Sequence, residues 1–182
     1  EETGYAWMDI DNRGAFHAAG RHLTSLGHRR IGLINGMETM TFAWHRRQGY
    51  EQALQEAGIA INPEFMASGQ MAEEIGYREA KRILSLPGRP PALMLSSMLL
   101  VSGVIRACYE LELAIGSDVS LIAHDDGLPF LNAEGLVPKL STVRSSIREA
   151  GGRVAELLIG MINDPEAPLP HELWPVELIV RG

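Results

Sequence analysis

Apolar positions along this chain switch between two periods, and the switches mark out its elements. Between Tyr5 and Ile10, Tyr5, Trp7 and Asp9 alternate with Ala6, Met8 and Ile10, the two-residue period of a strand. From Gly14 to Leu26 the period lengthens. Ala15, Ala19, Leu23 and Leu26 form the stripe of an amphipathic helix, and Gly27 supplies its C-terminal stop. Ile31-Gly-Leu-Ile34 reads as a short buried strand, with Asn35-Gly36 as the turn after it. A second helix is expected over about 43–57, where Tyr50, Ala53, Leu54 and Ala57 share a face and Gly58 closes it. A third runs over about 73–86 through Tyr77, Ala80 and Leu84, ended by Pro87-Gly88 and Pro90-Pro91.

Ala92-Leu-Met-Leu95 is the next apolar strand, 99–113 the next helix, and Val119 to Ala123 a third clear strand. This alternation predicts an α/β fold, a parallel sheet with helices on both faces joined by right-handed crossovers. A strand-like run follows at Leu140-Ser-Thr-Val143. A last helix is expected over 147–163, its stripe formed by Ala150, Val154, Leu157, Leu158 and Met161. Asp164-Pro165 breaks that helix, Pro168 and Pro170 keep the next loop extended, and Val176-Glu-Leu-Ile-Val180 reads as a final strand.

With 182 residues the chain is long enough for one well-buried domain or for one lobe of a larger one. Its net charge of −7 argues against this chain alone gripping a phosphate backbone. Cys108 is the single cysteine, which rules out an internal disulfide and a multi-cysteine metal site. Among Val104, Ile105 and Leu111 it reads as a buried, inert thiol. No apolar run is long enough to span a membrane as a helix. The opening Glu-Glu-Thr-Gly, with neither Met nor a basic leader, reads as the start of a piece of a longer protein.

The most informative chemistry lies at Val119 to Arg144. The strand there ends in paired carboxylates, Asp125 and Asp126, before Gly127, where α/β folds bind their ligands. Paired acids also do the work of glycoside hydrolysis. Adjacent strand residues point to opposite faces, however, so these two are poorly placed to flank one bond. With no P-loop, G-x-G-x-x-G or G-x-S-x-G, the chain is read as a non-enzyme that needs neither cofactor nor metal.

Five stretches, in order over nearly the whole chain, resemble the effector-binding module of LacI/GalR-type transcriptional regulators. They are Asp11-Asn12 with Gly14-Ala15 and the run Leu26-Gly-His-Arg-Arg-Ile-Gly32; Arg46 with Gly49-Tyr50 and Ala53-Leu54, similar to the family's R-x-x-G-Y-x-x-A-L; Gly69 with Glu74 and Gly76-Tyr77; His124-Asp-Asp126 with Leu140-Ser-Thr-Val143; and Pro175 to Arg181. One place departs from the family pattern. Where the family usually has Asn-Asp after the strand ending at Leu95, this chain has Ser97-Met98, which implies a roomier, less polar pocket. Together with "HDD" in place of the commoner "GFDD", this is similar to a branch associated with α-glucoside-type sugars.

The resemblance implies a type I periplasmic-binding-protein-like fold with a sugar effector held between two lobes. On that reading residues 11–140 and about 170–182 form the C-terminal lobe. Residues 1–10 and 141–168 are then crossing segments and a remnant of an incomplete N-terminal lobe. The implied partners are a sugar, a second copy in a homodimer, and operator DNA through an N-terminal helix-turn-helix outside this chain; the implied setting is the cytoplasm, with no membrane contact.

The site residues carried over are Arg46, whose guanidinium offers a fork of donors to hydroxyls, and Asp125, which accepts from two of them. Ser97 stands at the family's amide position, Phe42 lies one helical turn before Arg46 as a pocket floor, and Met71 stands where an aromatic often stacks. Asp126 and Ser145 complete the set. Each has a plainer alternative: an interlobe ion pair for Arg46, a turn for Asp126, core packing for Phe42. Trp7, Trp44 and His124 read as core or contact residues first. A periplasmic sugar-binding protein of a transporter, and a stable lobe with no activity of its own, remain the alternatives.

Overall fold

The computed structural model describes residues 4–125, 127–128 and 131–181. Six strands form the main sheet in the order β3-β2-β4-β5-β6-β8: β2 is Gly32–Asn35, β3 Met66–Ser68, β4 Ala92–Leu95, β5 Ser120–Asp125, β6 Ser141–Arg144 and β8 Glu177–Ile179. All neighbours are parallel except β6 and β8. Two further strands, β1 (Trp7–Ile10) and β7 (His171–Trp174), pair parallel in a small sheet of their own. The expected α/β fold is thus present.

Period-two alternation inside a continuous apolar run explains how the sheet is covered on both sides. Along β4, Leu93 and Leu95 face the cluster built by helices α3 (Glu73–Leu84) and α4 (Met98–Glu110). Ala92 and Met94 face the opposite cluster, built by α1 (Asn12–Ser25) and α2 (Thr41–Glu56). Gly27, at φ +91°, ends α1 as its sequence suggests, because the left-handed turn there disfavours a Cβ. The stripe of α1 differs from expectation at its end. Leu26 is exposed, and Phe16 is the large side chain buried instead.

Cys108 lies in the α3/α4 cluster, and burial pushes its thiol up to about 11. The native protein is therefore expected to leave Cys108 unmodified by a disulfide reagent at pH 8 and to label it only after unfolding. Fast native labelling would show that α4 does not pack as described.

On the outer surface of α3 and α4, Glu110 accepts from Lys81 Nζ and from the Tyr77 hydroxyl, each at 2.7 Å. The Arg106 guanidinium covers the Tyr77 ring at 3.9 Å. The hydrogen bond from Lys81, then that from Tyr77, holds the Glu110 carboxyl down from its ordinary 4.5 to about 2. A carboxylate depressed in the fold stabilises it above the unfolded value and loses that contribution as pH falls from about 4.5 toward about 2. Glu110→Gln is expected to flatten the fall in the urea midpoint over that window; the position is exposed, so the change is small.

The carboxyl-terminal third departs most from the sequence reading. β6 belongs to the main sheet, so residues 141–144, expected among the crossing segments, pair with β5 and β8 instead. Residues 171–174 pair with β1, so only the chain from β8 onward rejoins the main sheet. β8 is antiparallel because the chain leaves the sheet at the carboxyl end of β6 and returns through that same end. Helix α5 (Ile147–Asn163) has the expected amphipathic pattern but no buried residue. Its Val154, Leu157, Leu158 and Met161 border an open apolar groove with Ala6, Trp7, Met8 and Pro170. An uncovered apolar helix face favours association. Residues 1–182 alone are expected to sediment as a concentration-dependent mixture above the monomer mass, and a strictly monomeric profile at high concentration would contradict this.

Candidate functional site

The carboxyl ends of β2, β4 and β5 carry a layer of buried polar side chains. Asn35 ends β2, Ser96 follows β4, and His124 lies near the end of β5; Asn12 from α1 and Arg46 from α2 cover them, and all five are buried. Polar groups are buried only where they are hydrogen-bonded or serve a ligand. Arg46 Nε donates to Asn12 Oδ1 at 2.8 Å, and Arg46 Nη1 donates to the Ser96 carbonyl. The guanidinium is stacked on Phe42, 4.9 Å from the ring centroid, and on Phe16 at 5.6 Å. Arg46 is therefore a fixed, oriented cation against two aromatic rings, and Phe42, one helical turn before it in α2, supplies the nearer of them.

Asp125 is half-buried at the last position of β5, where its Oδ1 accepts from the Gly127 backbone N–H at 2.9 Å. It lines a cavity of about 660 Å³ with Arg144, Ser145, Ile147, Trp174 and Glu177 among others. Within that cavity the buried Ser145 hydroxyl has no hydrogen-bond partner among the described residues. The Ser96 hydroxyl, on the Arg46 side, is likewise buried without one. Arg144 and Glu177 face each other at 3.9 Å across the rim. A concave site with convergent donors, acceptors and an ion pair suits a small polyhydroxylated molecule.

The sequence candidates thus fall into groups. Arg46 and Phe42 sit together, and Asp125 and Ser145 share the cavity. Ser97 is buried, and its Oγ caps α4 by accepting from the Leu99 N–H at 3.1 Å, so part of its capacity serves the helix. Met71 is half-buried in the loop between β3 and α3 and is not among the residues that line the cavity with Asp125. Asp126 lies outside the described residues. Trp44 is exposed, and Trp7 stacks on His171 at 5.4 Å, which makes Trp7 a crossing-strand contact. Asn12, Ser96 and Trp174 were not singled out from the sequence. Asn12 belongs to the Asp11-Asn12 motif, but nothing in its spacing points to Arg46. No cluster of three or more metal-ligating side chains occurs among the described residues.

Residues 21–182 match the family described as the periplasmic binding protein-like domain. The chain belongs to that family. A curated relative, the HTH-type transcriptional regulator AglR of Rhizobium meliloti, is 47% identical over 98% of this chain and 50% of its own length. A regulatory protein of the LacI family from Chloroflexus aggregans superposes with a TM-score of 0.93 at 33% identity, over 100% of this chain and 64% of that one. The transcriptional regulator CelR in complex with cellobiose gives a TM-score of 0.88 at 27% identity, over 100% of this chain and 54% of that one. This chain spans about half the length of the curated relatives it matches. These relatives are named as transcriptional regulators, and the Chloroflexus protein as a member of the LacI family. No helix among the described residues is long and apolar enough to cross a membrane.

Proposed function

We propose that this periplasmic binding protein-like domain is the effector sensor of a cytoplasmic LacI-type repressor. It takes a saccharide of the α-glucoside class at the carboxyl end of its sheet. The observation that carries the reading is the cavity where Asp125 and the unpartnered Ser145 hydroxyl converge. The bound cellobiose of the CelR relative supports a sugar as the ligand class. The Ser97-Met98 and His124 departures support the α-glucoside branch. In the complete protein Arg46 and Asp125 hold hydroxyls through charge-assisted bonds, Phe42 and Met71 offer apolar surface to sugar rings, and Ser97, Asp126 and Ser145 complete the polar lining.

Sugar binding then biases the angle between two lobes in a homodimer, and so the placement of N-terminal helix-turn-helix heads on operator DNA. The response is no larger than the sugar's differential affinity for the two arrangements. The test is calorimetric titration of the complete protein with maltose, trehalose, sucrose and cellobiose. At least one α-glucoside is expected to bind, and Asp125→Asn to weaken it about ten- to hundredfold, the cost of one charge-assisted bond. Silence toward the whole panel, or wild-type affinity in the variant, would overturn the reading.

A further inference from the structure

We propose that Asn12 is a positioning residue that ties Arg46 to the strands crossing out of the lobe. This inference rests on the reading of Arg46 as an effector contact. Asn12 is buried at the first position of α1, and its amide is used in two directions. Its Oδ1 accepts from Arg46 Nε at 2.8 Å, while its Nδ2 donates to the Ile10 carbonyl at 3.0 Å. Only this orientation sets the amide oxygen against a cation and the amide nitrogen against a carbonyl.

Ile10 is the last residue of β1 and pairs with Trp174 of β7; the next amide, that of Asp11, donates to the Trp174 carbonyl at 2.9 Å. Trp174 also lines the cavity that holds Asp125 and Ser145. A continuous path of short polar contacts therefore runs from the Ser96 carbonyl through Arg46 and Asn12 to both crossing strands. A guanidinium pulled toward a sugar drags the Asn12 amide with it, and the far end of that amide is a crossing-strand carbonyl. Asp11 holds the start of α1 in place by accepting from the Gly14 N–H at 2.8 Å, so the movement is delivered to β1 instead of being absorbed by fraying of the helix.

Two substitutions cut the path at different points. Arg46→Lys removes the Nε donor to Asn12. Asn12→Asp keeps an acceptor for Arg46 but replaces the donor to Ile10 with a carboxylate oxygen that repels the carbonyl. Hydrogen exchange of the Trp7–Asp11 amides in the complete protein, without ligand, reads the crossing strands directly. Each variant is expected to speed exchange of the Asp11 amide about tenfold, the loss of one buried hydrogen bond, with the double variant no faster than either alone. Additive effects, or unchanged exchange in Asn12→Asp, would overturn the proposal.

A second arm adds maltose. In the wild type it is expected to change exchange at the crossing strands. In Asn12→Asp it should bind within about threefold of wild-type affinity, since the acceptor remains, yet leave those amides unmoved. Parallel loss of affinity and response would make Asn12 merely structural and overturn the positioning role. A wild type blind to maltose and to the other sugars overturns the sensor function above, while the ligand-free arm still decides whether Arg46 and the crossing strands are joined through Asn12.

Discussion

Gly103→Ala is expected to lower stability by about 2–3 kcal/mol and the melting temperature by about 4–12 °C, although alanine is the better helix former. A Cβ at position 103 falls 1.9 Å from the Glu73 carbonyl oxygen and 2.5 Å from the Tyr77 nitrogen. Both are backbone atoms of α3, so no rotamer change relieves the overlap and the two helices must move apart. The crossing is reciprocal: a Cβ on Gly76 of α3 meets the Leu100 carbonyl of α4 at 2.3 Å. The α1/α2 pair on the other face of the sheet uses the same device, with Gly49 against the Arg13 carbonyl at 2.2 Å. Gly152→Ala in α5 is the control, because nothing lies within 4 Å of the added methyl. There the entropic gain of alanine stands alone, and stability should rise by about 0.5–1 kcal/mol. Thermal unfolding of the two variants should therefore shift in opposite directions. Equal midpoints would show that α3 and α4 are not in backbone contact.

Arg46→Met is expected to cost about 3–5 kcal/mol in chemical denaturation and to abolish sugar binding. Methionine preserves the length and the apolar contact with Phe42 and Phe16 but leaves Asn12 Oδ1 and the Ser96 carbonyl without their donor in a buried setting. Each stranded acceptor carries a desolvation penalty of about 1–3 kcal/mol. Arg46→Lys should recover less than half of the loss, because a point-like ammonium cannot reach two acceptors set at the angle of a guanidinium fork. A methionine variant within about 1 kcal/mol of wild type would show that the buried network carries little of the stability.

The elements that were legible in the sequence are those whose burial follows a local period. β4 runs over the same four residues that its apolar run marks, and α2, α3 and α4 begin and end within a few residues of their expected bounds. β3 left no signal, because an edge strand of three residues, half-exposed, has no buried face to write a pattern with. β7 carries no strand signal among its flanking prolines, since its pairing with β1 joins residues more than a hundred and sixty apart, as in the His171 contact with the Tyr5 carbonyl. The stripe of α5 was written correctly in sequence, yet periodicity says only that a face is apolar and not that anything covers it.

By itself the sequence determined the α/β alternation and the family, and it singled out the two charged residues of the proposed site, Arg46 and Asp125. Those follow from local spacing and from motifs short enough to survive in one chain. Tertiary structure alone decided what Arg46 is bonded to. Its partners Asn12 and Ser96 stand 34 and 50 residues away along the chain, and no period relates them. It also gave the Ser97 hydroxyl to a helix cap and turned β8 antiparallel. The reason is physical: side-chain burial is imprinted locally by the geometry of helix and strand, whereas a polar contact depends on where distant backbones meet, which packing of the whole sheet and its helices sets.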